Sequence, residues 1–196
     1  YANQTTVDNA GRTVSVSTPT TMSGTTPQYA TTTYGYDVAG RMVRATDARG
    51  NTTFYTYNAA GLAQSTIEPA TAATPNLVQR TYTRTYNADG TIATDTQPGG
   101  VTVNHTYNTG ALTTISASGP GFATATRSFD YDFAGRMSQF SSPQGNYSIE
   151  YDTRGLIAKV TPPSGRGQDA ASYTYDALGR IGTQADTTGT HAYTYN

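Results

Sequence analysis

The chain contains no cysteine and no tryptophan among its 196 residues. The first absence excludes a disulfide scaffold, Cys-based zinc sites and a thiol nucleophile. Large aliphatic and Phe side chains are scarce: Val 9, Ile 6, Leu 5, Met 3 and Phe 5 make 28, one residue in seven. No apolar run approaches the length needed to span a membrane as a helix. Neither charge sign dominates, with 12 Lys+Arg against 13 Asp+Glu, so there is no basic footprint for nucleic acid. A chain so poor in aliphatics cannot build a thick globular core, and its composition borders on that of disordered segments. What it has instead is tyrosine, 16 residues, and threonine, 39.

The tyrosines are not scattered. An aromatic residue, Asp or Asn, two variable residues, Gly, often Arg, and then an apolar residue recur along the whole chain. The copies are Tyr36-Asp37…Gly40-Arg41-Met42, Tyr57-Asn58…Gly61-Leu62, Tyr86-Asn87…Gly90-Thr91-Ile92 and Tyr131-Asp132…Gly135-Arg136-Met137. Tyr151-Asp152…Gly155-Leu156-Ile157 and Tyr175-Asp176…Gly179-Arg180-Ile181 follow. A diverged copy opens at Val7-Asp8…Gly11-Arg12, Tyr195-Asn196 begins another, and Tyr107-Asn108-Thr109-Gly110-Ala111-Leu112 is one residue short. From Val7 the copies are spaced 29, 21, 29, 21, 24, 20, 24 and 20 residues apart, alternating long and short. The repeating unit is thus a pair of copies. Repeats of this period mark architectures in which each unit packs on its neighbours.

Each copy reads as a hairpin. Asp or Asn with Gly three residues later specifies a type I turn closed by a left-handed glycine. A three-residue loop then sets Asp37 against Arg41 and Tyr36 against Met42. In the short copy a two-residue loop, Thr109-Gly110, keeps Tyr107 opposite Leu112. Counting back by two from each core Tyr gives a column of Tyr34, Tyr55, Phe129, Tyr173 and Tyr193, interrupted by Arg84, His105 and Ile149. The alternate positions hold Thr56, Thr85, Thr106, Thr174 and Thr194. This is period-2 alternation, one aromatic face and one hydroxylated face. At the opposite ends the turns are short at 47–51, 97–100, 142–146 and 187–189, whereas 19–27, 69–75, 119–121 and 162–165 read as longer loops. The expectation is an all-β, continuous antiparallel meander of about sixteen strands over residues 1–196, holding eight to nine copies truncated at both ends and forming a curved or spiralling one-layer sheet.

The Tyr-Asp-x-x-Gly-Arg-aliphatic core resembles the YD repeat of Rhs proteins, a family that includes polymorphic toxin shells, cocoon components of Tc toxins, wall-associated proteins and teneurins. The resemblance implies a β-sheet strip spiralling into a hollow shell, enclosing a toxin domain in the toxins and supporting adhesion in teneurins. It implies a non-enzymatic scaffold from a large bacterial secreted or surface protein. Its partners would be further YD repeats or like subunits and an enclosed toxin domain, with no nucleic acid, no membrane insertion and no cofactor. The self-cleavage segment of such toxins carries an Asp-Pro dipeptide, which this chain lacks. An adhesive, filament-forming or carbohydrate-binding module on the same scaffold is the alternative.

Candidates for chemistry are few. His105 falls in the aromatic column and His191 two residues before it, with no nucleophile spaced around either. Asp130 and Asp132 flank Tyr131, and Glu150 and Asp152 flank Tyr151, so four carboxylates share the hydroxylated face as a weak metal or acid–base cluster. The residues expected to do the work are structural: the Tyr, Asp/Asn, Gly and Arg of every copy.

Overall fold

The computed structural model describes residues 2–165, 167 and 169–196. They fold as two compact units, one running to Thr102 with Gly119–Gly121, the other holding Val103–Ser118 and Phe122–Asn196. The first contains β1 (Gln4–Val7), β2 (Thr13–Ser23), β3 (Thr26–Tyr36), β4 (Met42–Thr46), β5 (Thr52–Tyr57), β6 (Ala63–Ile67), β7 (Thr81–Tyr86) and β8 (Ile92–Thr96). Next in the chain are β9 (Thr102–Asn108), β10 (Ala111–Gly119), β11 (Phe122–Tyr131), β12 (Met137–Ser142) and β13 (Gly145–Tyr151). β14 (Ile157–Thr161), β15 (Ala171–Tyr175), β16 (Ile181–Asp186) and β17 (Gly189–Ala192) complete it. That is seventeen strands among the described residues, one more than the sixteen of the eight hairpins from Val7 to Tyr175, because Gly189–Ala192 forms the incoming strand of the copy that Tyr195 begins. One 3-10 turn, Leu77–Gln79, is the only helical element described.

From β1 to β8 every ladder is antiparallel and joins strands consecutive in the chain. In the second unit β9 pairs with β10, and β11 to β17 form the same succession. The local reason is the turn chemistry. Asp37 donates its N–H to Arg41 O at 2.9 Å and accepts Gly40 N–H at 3.0 Å, with Gly40 at φ +82°. Tyr36 lies opposite Met42, as the spacing predicts. The equivalent pairs Tyr57–Ala63, Tyr86–Ile92, Tyr131–Met137, Tyr151–Ile157 and Tyr175–Ile181 recur. The short copy closes through Thr109 and Gly110 at φ +48° and +84°, the two positive angles of a type I′ turn.

Two features depart from the sequence reading. A β-bulge precedes the core Tyr in each of these hairpins and at Val7, so Gly35 faces Arg44 and one return-strand residue is unpaired. Bulges leave no mark in a simple alternation count, and they raise the local twist of the strip. Second, 19–27 and 119–121 are not loops. β2 and β3 extend through Pro19 and Pro27 to a tight turn at Gly24–Thr25, with a bulge between Pro19 and Met22 absorbing a proline that cannot serve a regular ladder. The segment Pro120–Gly121 is simply the tip of the β10–β11 hairpin. The long connection that remains fully described is 68–80.

The expected two faces are present. Tyr55, Tyr57, Tyr107, Tyr173 and Tyr175 are half-buried while Thr56, Thr85, Thr106 and Thr174 between or beside them are exposed. Hydroxyl pairs bridge neighbouring strands on the exposed side, Thr56–Ser65 at 2.7 Å, Thr85–Thr94 at 2.7 Å and Thr174–Thr183 at 2.6 Å. On the other side Phe129, Phe140 and Tyr147 form a row across β11, β12 and β13, with ring centroids 5.5 and 6.0 Å apart. Among the described residues no aliphatic or aromatic side chain is fully buried. Each unit is therefore a single layer, stabilised by cross-strand pairs worth about 0.2–1 kcal/mol each rather than by a core.

Candidate functional site

The repeat residues assemble into one device, used again and again. In Asp37 the Oδ1 atom accepts the N–H groups of Ala39 and Arg41, both at 2.9 Å, which fixes the turn. Its Oδ2 accepts Arg41 Nε and Nη2, both at 2.8 Å. Asp8 with Arg12, Asp132 with Arg136 and Asp176 with Arg180 repeat the arrangement. The carboxylate thus serves as turn cap and as clamp on the guanidinium, which it holds flat.

The clamped guanidinium reaches the next copy. Arg12 lies over the Tyr36 ring at 4.8 Å, Arg41 over Tyr57 at 4.7 Å, Arg136 over Tyr151 at 4.3 Å and Arg180 over Tyr195 at 4.3 Å. Such contacts contribute about 0.5–1 kcal/mol at exposed sites. The covered tyrosine then reaches back. Tyr36 Oη donates to Thr13 O at 2.7 Å, Tyr57 to Met42 O at 2.8 Å and Tyr151 to Met137 O at 2.8 Å. Tyr86, Tyr131, Tyr175 and Tyr195 donate to Ala63, Leu112, Ile157 and Ile181 carbonyls. In each case the acceptor is the residue just after the Arg position of the preceding copy. Tyr107, in the short copy, donates no such bond.

The turn glycines belong to the same device. A Cβ at Gly40 would stand 3.5 Å from Arg12 Nη1, at Gly61 3.6 Å from Arg41 Nη1 and at Gly155 3.2 Å from Arg136 Nη1. Glycine here permits φ > 0 and also leaves room for the arginine of the copy before.

Copies that lose one member change the others. Asn58 keeps the Oδ1 cap to Ala60 and Leu62 N–H but, having no carboxylate, is followed by Leu62 rather than Arg. Leu62 then approaches the Gly90 turn as an arginine would. Asn87 turns its amide to Thr91 Oγ1, and Asp89 takes over the cap by accepting Thr91 N–H at 2.9 Å. Asp152 has Leu156 at the Arg position, and Arg154 from the turn itself supplies the cation. Its Nε is 3.2 Å from Asp152 Oδ2, its Nη1 bonds Asp176 O at 2.7 Å, and it lies 5.9 Å from the Tyr175 ring. At the opposite end of the strands, Asp47 caps its turn identically, with Asn51 Nδ2 in place of a guanidinium. Sequence reading places Asp47 only in a turn; its Asp-x-x-Gly spacing is the signal that it copies the core.

The electrostatics follow. The Arg136 side chain, then its backbone N–H, hold the Asp132 carboxyl below its ordinary value. Asp37 is lowered first by the Arg41 N–H and Asp176 by the Arg180 N–H, with the guanidinium adding to both. These carboxylates are committed. Of the four proposed as a cluster, Asp132 and Asp152 are caps, Glu150 lies 3.8 Å from Lys159, and Asp130 pairs in register with Gln139. Among the described residues no group of three or more His, Asp or Glu is arranged to hold a metal. His105 is half-buried with Nδ1 unbonded, and exposed His191 lies opposite Gln184.

Comparison with known proteins bears on the repeat and the fold. The Rhs repeat profile matches residues 7–52 and 151–192. No curated protein sequence matches significantly. Solved structures of TcdB2-TccC3 assemblies are similar in fold: one with Cdc42 at TM-score 0.70 and 16% identity, and one denoted TcdB2-TccC3-TEV at 0.71 and 17%, each covering 95% of this chain and 11% of that chain. A Photorhabdus luminescens Tc holotoxin pore matches at 0.68 and 16%, again over 95% of this chain and 11% of the other. The chain spans about a ninth of the length of these proteins.

Proposed function

From the premise that the chain carries Rhs repeats, we propose that residues 1–196 are one array serving as a wall segment of a hollow shell in a larger secreted protein. The shell would enclose or carry a toxin domain, and the segment itself would be non-catalytic. The observation that carries this reading is the interlock. In five copies an arginine covers the tyrosine of the next, and seven core tyrosines donate their hydroxyl back to the copy before, so the polar groups of the repeat are largely spent on turn caps and on contacts between copies. A sheet held this way needs no second layer, so both faces stay available, one toward solvent and one toward contents.

The adhesive or carbohydrate-binding alternative has less support, since five core rings are already covered by guanidinium groups and are not free to stack on sugars. Protease protection in the parent polypeptide tests the proposal. If the array walls a shell, a carried domain resists protease while the native shell is intact and is digested once it is unfolded. Equal digestion in both states would overturn enclosure.

A further inference from the structure

The interlock is not uniform along the chain, and at one step it is missing. From the Val7 copy to Tyr36, from Tyr36 to Tyr57 and from Tyr131 to Tyr151 both parts are present, a guanidinium on the next ring and a hydroxyl bond back. The steps onto Tyr175 and Tyr195 also hold both. The steps onto Tyr86 and Tyr131 keep only the hydroxyl bond. The step from the Tyr86 copy to the Tyr107 copy has neither. Thr91 stands where four copies carry Arg, and among the described residues no cation lies over the Tyr107 ring and its hydroxyl makes no hydrogen bond. The receiving turn is weak as well, with Thr109 at φ +48°. A second observation falls at the same place: the two compact units part at Thr102 and Val103, within β9, the incoming strand of the Tyr107 copy.

The opposite ends of these strands are fastened. Gly119–Gly121, the tip of the β10–β11 hairpin, belongs to the first unit, although the rest of that hairpin belongs to the second. A Cβ at Gly119 would stand 2.7 Å from Val101 Cα, and one at Gly100 would stand 3.6 Å from Pro120 Cδ, so the tip sits directly on the 97–101 turn. The second unit has a seat of the same kind, where the bare Gly145 backbone makes room for Pro163. We propose that the step from Tyr86 to Tyr107 is a built-in hinge. The strip opens there first, at the ends bearing the core turns, while 97–101 and 119–121 stay together. Where stability is a sum of neighbour contacts, local opening concentrates at the step with the smallest contribution. The hinge gives the array one place to flex without parting. It is a property of the array itself and holds whether or not the parent polypeptide forms a shell.

Amide hydrogen exchange, followed by NMR on the 196-residue chain at low urea, tests the hinge. Amides of β8 and β9 should exchange about tenfold faster than those of β4 and β5, the equivalent strands at a fully linked step. Within β9 exchange should be faster toward Tyr107 than toward Thr102. Asn87→Asp with Asp89→Ala and Thr91→Arg installs the pairing found at 37 and 41, and should slow exchange in β8 and β9. Conversely, Asp37→Asn and Arg41→Leu with Tyr57→Phe remove both parts of a sound link, and should make β4 and β5 exchange as readily as β8 and β9. Equal protection of the two strand pairs in the unaltered chain, or a reversed gradient along β9, would overturn the hinge. So would either set of substitutions leaving exchange unchanged with an unaltered circular dichroism spectrum.

Discussion

A single tyrosine in this protein does three things: it packs on the aliphatic residue across its hairpin, accepts a guanidinium on its face and donates its hydroxyl to the preceding copy. Removing the hydroxyl alone isolates the last. Tyr151→Phe should lower unfolding free energy by about 1 kcal/mol in urea titration. Tyr107→Phe should change it little, because that hydroxyl donates no such bond. Thr109 offers the opposite case. A β-branched residue at φ +48° is strained by about 1–3 kcal/mol, and Asn tolerates that region, so Thr109→Asn should raise the melting temperature. At Gly40 the sign reverses. Gly40→Val should cost about 1–3 kcal/mol from φ +82° alone, and its side chain would also crowd Arg12.

At the scale of the hairpin, residue choices travel together. Asp is matched with Arg at 8/12, 37/41, 132/136 and 176/180, while Asn is matched with Leu at 58/62 and Thr at 87/91. Asp37→Asn retains the turn cap but leaves Arg41 without its clamp. Adding Arg41→Leu recreates the Asn58–Leu62 copy. The double variant should therefore melt higher than the sum of the two single losses implies, a coupling that a double-mutant cycle reads directly. Strict additivity would show that the carboxylate does not act through the arginine. This level also shows what was legible in the sequence. The Asp-x-x-Gly turn and the Tyr–aliphatic pair follow from local chemistry, and both are found at the positions read. The bulges and the extension of β2 and β3 through Pro19 and Pro27 depend on ladder partners that spacing does not reveal. The arginine–tyrosine contact between copies was out of reach for the same reason: its partners lie 15 to 24 residues apart in sequence.

Along the chain, stability is a sum of copies and the contacts between neighbours, with no buried apolar core among the described residues to dominate it. The clamps give that sum a pH dependence. Asp8, Asp37, Asp132, Asp152 and Asp176 all have carboxyls held below their ordinary value by arginine and backbone N–H groups. A group lowered on folding contributes stability that is complete above its unfolded value, about 3.9 for Asp, and is lost as pH falls through the folded value. These clamps should thus leave melting temperature unchanged from pH 7 to 5 and reduce it steeply in stronger acid. A variant carrying Asp37→Asn, Asp132→Asn and Asp176→Asn should show a shallower acid limb. The same composition that excludes a core, one large aliphatic or Phe in seven residues, is what a wall one sheet thick requires. Cryo-electron microscopy of the parent polypeptide tests that claim most directly. The account predicts that residues 1–196 form a single β-layer bordering an enclosed volume, with Tyr36, Tyr57, Tyr151, Tyr175 and Tyr195 each seated under an arginine of the copy before it. A second sheet packed against the aromatic face, closing it into a sandwich, would contradict it.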